Sequence, residues 1–324
     1  MTGFIVMGGP KSILVVLHIG MFCYIAITYI VYRLSPLVAH GAITHSSIFV
    51  ILVSLCLALP SITIPGFATE GLVIGWELLL SSYSFCVERQ AAEDDWFECF
   101  FFLLVNPIVV YSERGESIGQ PSFNKIGMGR IIFGIVLLFM ASAGLKPLAA
   151  ILTNSSTEHQ VVRRLALGLV GVLTLHSMHS GLAHLQIGTM RQVGYILPER
   201  YKYPLLAVGA GDFWSRWNTY LGSWIRRYIF IPVAKRRVGL AAIPIAMIFS
   251  GLLHDLFVYL QTFSLVARFT PFFVATSAAM IIGRTPERWL RSTRRASSIF
   301  HVYGRGLARL LLLAGLVMSA MLWY

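Results

Sequence analysis

The sequence predicts an all-α, polytopic integral membrane protein. Hydrophobic residues make up 56% of the 324 positions and charged residues only 12%. Mean hydropathy is +0.73, and apolar runs of span length recur along the whole chain. Soluble domains carry about a quarter charged residues, so this composition excludes a soluble globular fold. Disorder, collagen-like repeats and a small disulfide scaffold are excluded on the same ground. Spans of ~20 residues would take up over half the chain and leave only short loops. The chain therefore reads as a single membrane domain, 1–324, of about eight to ten helices.

Candidate spans are 12–32, 46–66, 97–112, 130–150, 163–184, 239–263, 269–283 and 305–323. No convincing cleavage site follows the first run, which is expected to be a retained span and not a signal peptide. Glu70 and Glu77 interrupt the apolar run 67–87, which reads as interfacial or interior. Pro60, Pro65 and Pro107 should kink or end their helices locally. Cys23, Cys56, Cys86 and Cys99 lie in or beside apolar runs without CxxC spacing. They read as small buried apolar side chains with no metal or disulfide role.

Charge is unevenly placed. Lys and Arg number 26 against 14 Asp and Glu, a formal +12. Arg216, Arg226, Arg227, Lys235, Arg236 and Arg237 fall in 213–237 without an acid, and seven more arginines fall in 284–309 beside Glu287. Two apolar runs, 239–263 and 269–283, separate these segments. If both runs span, the basic segments share one face, which the positive-inside rule makes cytoplasmic. Such placement points to orientation and to anionic headgroups or an anionic cosubstrate, and not to nucleic acid. Nine of the fourteen acids lie between Glu70 and Glu116, which reads as a hydrophilic, non-spanning connection.

Between spans, Trp214, Trp217, Leu221, Trp224 and Tyr228 recur at spacings of three and four, a helical period. Asp212 is expected to cap that helix and Pro232 to stop it. Tryptophans and arginines on a short helix suit the headgroup boundary, and an interfacial anchor accounts for them. It does not account for Asn218.

Ionisable residues in apolar runs are costly and face a bundle interior or a wet cavity. His254 lies deep in 243–259, a run whose one charged residue is Asp255. Successive helical side chains point about 100° apart, so Asp255 is not automatically its partner. A neutral imidazole takes a hydroxyl proton near pH 7, although a core histidine bonded to a neighbouring carbonyl is the plainer role. His176 and His179 share a helix face, with His184 near the same stripe. Metal ligation is open to such a stripe, but no carboxylate or cysteine completes a set, and a polar tunnel lining needs nothing more. There is no GxSxG, P-loop, HExxH or strand-following GxGxxG.

The pattern Asp212-Phe-Trp-x-Arg-Trp-Asn218-x-x-Leu-x-x-Trp-x-Arg-x-Tyr-x-x-x-Pro232, with Ser-Gly-Leu-Leu-His254 following 36 positions after Asn218, resembles the membrane-bound O-acyltransferases. Three stretches are similar to the branch that acetylates bacterial polysaccharides: Phe102 to Tyr111, His179 to Gly188, and Pro198-Glu-Arg-Tyr-Lys-Tyr-Pro204. Together the collinear matches cover roughly 100–260. Three positions depart from that branch. Asn218, as in the sterol, diacylglycerol and wax-ester branches, stands where it usually has His, His184 where it has Asp, and Asn106 where it has Gly.

The resemblance implies a helical bundle with interfacial or re-entrant helices around a central tunnel. It implies transfer of an acyl group, acetyl or longer, from acyl-CoA to a hydroxyl on a glycan, lipid or small alcohol. Acyl-CoA is then a cosubstrate, and no metal or cofactor is required. His254 would serve as general base. Asn218 would orient His254 or donate to the thioester carbonyl as charge develops. Arg216, Arg226 and Arg227 would bind CoA phosphates. Trp214, Trp217, His179 and His184 would line the substrate path. A wax-ester-type alcohol acceptor is the alternative within this class. A His-rich transporter or a haem or metal membrane protein is the alternative outside it.

Overall fold

The computed structural model describes residues 10–58, 69–88, 96–105, 116–117, 122–154, 160–207, 209–236, 239–264, 267 and 269–292. Among these the chain is helical apart from one short antiparallel pair, β1 (Glu116–Ser117) with β2 (Tyr195–Ile196). Three helical stretches are long and apolar enough to cross a membrane: Lys125–Thr153, Gln160–Gln192 and Ala242–Leu260. They coincide with the expected spans 130–150, 163–184 and 239–263. The expected span 305–323 lies outside the described residues, as do Pro60, Pro65 and Pro107 and the ends of the expected spans 46–66 and 97–112.

The chain divides into two compact units, one of Met1–Arg114 with Asp255–Val266, the other of Gly115–His254 with Ala267–Tyr324. The first unit holds α1 (Pro10–Ala39), α2 (His45–Val53), α3 (Thr69–Glu88) and α4 (Trp96–Val105). Thr44 caps α2 by accepting a hydrogen bond from the Ser47 amide, and a π-turn, Ser54–Ala58, continues it. The run interrupted by Glu70 and Glu77 turns out to be interior: from Leu78 to Cys86 every residue of α3 is buried. Four of those residues are serine or tyrosine, and Ser81 returns its hydroxyl to the Glu77 carbonyl at 2.9 Å. Cys56, Cys86 and Cys99 are buried free thiols, as their apolar setting predicts, whereas Cys23 is only partly buried. Tyr24 carries a hydroxyl into this packing and donates it to the Phe100 carbonyl at 2.9 Å.

The second unit is organised by α5 (Lys125–Phe139) and α7 (Gln160–Gln192), antiparallel helices joined through a π-turn at Met140–Leu145 and α6 (Lys146–Asn154). Glycines set their separation. A Cβ added to Gly134 would lie 2.7 Å from the Gly181 carbonyl oxygen, and one on Gly188 would lie 2.7 Å from that of Gly127. The two contacts are seven residues apart on each helix, two turns, so they form one continuous seam. Apolar solvent gives helices no hydrophobic incentive to associate; close backbone approach at small residues supplies the attraction instead. One end of the seam is closed by side chains. Gln192 accepts from the Asn124 amide and donates to the Asn124 carbonyl, both at 2.8 Å, while Asn124 caps α5 through the Gly127 amide. At the other end Ala149, Leu167 and Val170 form a small core with Leu145 and Leu152. Ile132, Phe133, Ile135, Val136 and Phe139 point outward from α5, an arrangement suited to lipid and not to water.

Gly134→Val is expected to lower the thermal unfolding midpoint in detergent, an overpacking cost of ~1–3 kcal/mol. Gly129→Ala is the control, because a Cβ there meets nothing within 4 Å. Its midpoint should hold or rise, since alanine is the better helix former by ~1 kcal/mol.

Candidate functional site

The site lies in the second unit, where a broken helix meets α7 and two further helices, α11 (Ala242–Thr262) and α12 (Phe269–Ser292). The tryptophan-rich segment is not one helix. It runs as α8 (Ala210–Arg216), α9 (Thr219–Ile225), a π-turn at Arg226–Phe230, and α10 (Ile231–Lys235). Two expectations are corrected here. Gly209 and not Asp212 occupies the cap position of α8, and Asp212 instead pairs with Arg216 one turn on, at 2.7 Å. Pro232 does not stop the helix; it sits in the first turn of α10, where its missing N–H costs nothing.

The break falls at Asn218, which adopts φ 41° and ψ 64°. Asn is among the few non-glycine residues that tolerate the left-handed region, because its short polar side chain bonds locally. Its Oδ1 caps α9 through the Leu221 amide at 3.4 Å and accepts from Arg200 Nε at 3.2 Å. The Thr219 amide leaves the helical ladder and donates to the Arg200 carbonyl at 2.8 Å. Thr219 and Tyr220 hydroxyls donate to the Glu199 and Pro198 carbonyls, each at 2.6 Å. The Lys202 amide donates to the Arg216 carbonyl at 2.9 Å. Residues 198–202 thus run alongside the break and satisfy it. Arg200 itself is only 7% exposed and lies over the Tyr220 ring.

His254 sits on α11 with its Nδ1–H donating to the Ser250 carbonyl at 2.7 Å. A carbonyl can only accept, so Nδ1 carries a proton, and when the ring is neutral its lone pair is on Nε2. The sequence Ser250-Gly251 builds this setting. A Cβ on Gly251 would lie 2.7 Å from the Thr270 Cα, so its absence lets α12 close onto α11. That approach places the Phe269 and Phe273 rings 5.2 and 5.1 Å from the imidazole.

A row of rings joins His254 to the histidines of α7. Phe273 lies 5.1 Å from Trp214. Trp214 meets Phe213 at 5.2 Å, and Phe213 stacks on Trp217 at 5.4 Å. Beyond Trp217 stand Tyr201 at 5.3 Å, His176 at 5.9 Å and His179 at 6.5 Å. Trp224 belongs to packing: it is 1% exposed and stacks on Phe249 of α11. In or beside the row Trp214 Nε1 and His176 Nδ1 are enclosed without a hydrogen-bond partner among the described residues, as is His184 Nδ1. Buried polar atoms left this way are costly unless water or a ligand meets them.

The residues expected at the site therefore separate into groups. Asn218 adjoins the Trp217 end of this row and His254 the Phe273 end, and the Asn218 oxygen is bonded to Arg200 and Leu221 and not to His254. His179 joins His176 at Trp217, with its Nδ1–H returned to the Leu175 carbonyl at 2.8 Å. His184 has a different neighbourhood, edge-on to Phe133 at 4.9 Å. It lines a small recess with Ser180, Glu199, Arg200 and Tyr201, where Glu199 pairs with Arg130. Among the described residues no three His, Cys, Asp or Glu side chains converge as a metal site. Arg216 is engaged by Asp212, while Arg226 and Arg227 are exposed. The helical backbone of the second basic segment continues to Ser292, and its remainder lies outside the described residues. Arg200, Tyr201 and Phe273 were not singled out from the sequence; Arg200 and Tyr201 fall in the quoted Pro198–Pro204 stretch, the only signal for them.

No family model matches the chain. It is 30% identical over 79 residues to the probable alginate O-acetylase AlgI of Pseudomonas syringae pv. tomato, a stretch covering 23% of this chain and 15% of that protein. A protein of the same name from Pseudomonas putida is 32% identical over 60 residues, 18% of this chain and 12% of its own length. The peptidoglycan O-acetyltransferase of Helicobacter pylori is 25% identical over 146 residues, 42% of this chain and 27% of that protein. The chain thus matches less than a third of the length of each of these curated relatives.

Asn218→Ala is expected to destabilise the protein more than Asn218→Gly. Both lose the cap, worth ~1 kcal/mol, but only alanine meets the added ~1–2 kcal/mol cost of the left-handed conformation. Thermal unfolding of the two variants checks the order.

Proposed function

We propose that the chain is a membrane-embedded O-acyltransferase of the membrane-bound O-acyltransferase type, moving an acyl group from acyl-CoA to a hydroxyl acceptor. The observation that carries this reading is the placement of His254, whose Nδ1 is 2.7 Å from the Ser250 carbonyl of its own helix, so that Nε2 carries the lone pair when the ring is neutral, with aromatic rings leading from it toward the Asn218 break. The names of the partial relatives, all O-acetylases or O-acetyltransferases, support the same class.

In this reading the acceptor hydroxyl oxygen attacks the thioester carbonyl carbon while its proton passes to His254 Nε2. The Ser250 carbonyl, already accepting from Nδ1–H, steadies the imidazolium. Charge gathers on the carbonyl oxygen, the C–S bond breaks, and the CoA sulfur leaves with the proton that His254 returns. No covalent acyl-enzyme forms, which accords with the lack of a serine-nucleophile motif. Arg226 and Arg227, exposed on the π-turn, suit the CoA phosphates at the membrane surface. The positive-inside rule puts that surface on the cytoplasmic side.

A polysaccharide or peptidoglycan-like glycan is the preferred acceptor, because the relatives named for such substrates align. A long-chain alcohol is the second reading, favoured by Asn218 in place of His. Thiol release from acetyl-CoA and palmitoyl-CoA, each with alginate, peptidoglycan fragments or hexadecanol, separates the two.

His254→Ala should lower acyl transfer by ~10²–10⁴-fold in purified, folded protein, the usual worth of a general base; full activity would refute the assignment. Neutralising Arg226 and Arg227 together, both to Gln, should raise KM for acyl-CoA several-fold with kcat nearly unchanged, since phosphate contacts bind ground and transition states alike.

A further inference from the structure

Resting on the reading that Asn218 belongs to the reaction site, we infer that Arg200 is its positioning residue and fixes the carboxamide so that Asn218 enters the reaction only as a hydrogen-bond donor. The oxygen and nitrogen of an amide are distinguished by their partners. Here Oδ1 faces two N–H donors, Arg200 Nε at 3.2 Å and the Leu221 amide at 3.4 Å. Turning the group over would set its NH₂ against both, so the orientation is determined. With the oxygen taken, what Asn218 offers any other group is its two Nδ2–H bonds. That closes one route open to the residue type, accepting a hydrogen bond from His254 through Oδ1. A donor stabilises the negative charge growing on a thioester oxygen; it does not accept a proton from His254, whose Nδ1–H is already given to Ser250.

Arg200 is built for this task from three sides. Its carbonyl receives the Thr219 amide at 2.8 Å, its guanidinium lies over the Tyr220 ring, and its side chain is almost wholly buried. Main chain and side chain of one residue therefore hold both residues of the break. Arginine suits the position because its planar fork presents Nε–H in a fixed direction, which a lysine ammonium does not.

The test uses purified full-length chain, acetyl-CoA and alginate, with kcat, KM and thermal midpoint measured on each variant. Asn218→Asp keeps an oxygen toward Arg200 and removes the NH₂. It should unfold at or above the wild-type midpoint yet lose kcat by ~10²–10³-fold, as for an oxyanion donor. Arg200→Met should lower kcat at least tenfold with KM for acetyl-CoA within twofold, and Arg200→Lys should recover part of that loss. In the Asn218→Ala background Arg200→Met should cause no further fall in kcat, because it acts through Asn218. Retention of kcat by Asn218→Asp overturns the donor role. An equal loss from Arg200→Met in both backgrounds overturns the positioning role. A wild-type chain that transfers no acetyl or palmitoyl group to any acceptor overturns the acyltransferase reading instead. The clamp is then judged on the midpoints alone: simple addition of the Arg200→Met and Asn218→Ala shifts in the double variant refutes it, and a smaller combined shift supports it.

Discussion

A backbone that leaves the helical ladder within packed protein frees polar groups that other protein atoms must receive. That constraint shapes the surroundings of residue 218. The helix stops there because Asn218 turns left-handed, and the stop is tolerable because 198–202 runs alongside it with carbonyls at the right places. Thr219, Tyr220 and Lys202 each find a partner across this junction.

The same junction connects sequence elements that are far apart. His176 and His179 come from α7, Trp214 and Trp217 from α8 and its end, Phe273 from α12 and His254 from α11. None of these helices supplies more than a few rings, yet edge and face contacts between them make one array. Aromatic packing of this kind is worth ~0.5–1.5 kcal/mol per pair beyond the area it buries. It therefore ties α8, α11 and α12 together through rings.

Much of the fold could be read from hydropathy alone, since the long apolar runs at 130–150, 163–184 and 239–263 are helices of span length. Their packing could not. Gly127, Gly134, Gly181 and Gly188 are ordinary in a list of 28 glycines, and only the antiparallel crossing reveals their pairing. At the site, His254 and Asn218 stood out because polar residues in apolar or aromatic settings are expensive. Arg200 did not, because an arginine near a basic segment looks like an orientation signal until the side chain is seen turned inward. The smooth three-and-four spacing of the tryptophans concealed the break, since periodicity reports which face a residue takes and not whether one amide has changed its acceptor. Pro232 misled for a related reason: after a π-turn its ring falls where a new helix begins.

Gly251 does more than permit a close crossing. Because the Thr270 backbone rests on the bare Cα face one turn before His254, the imidazole and the rings of α12 are tied by main-chain contact and not by adaptable side chains. Any tilt of one helix against the other would carry Phe269 and Phe273 with it and change their contacts with the imidazole. How those rings face the imidazole is thereby set by the angle of a single helix crossing, a quantity that bilayer thickness can influence.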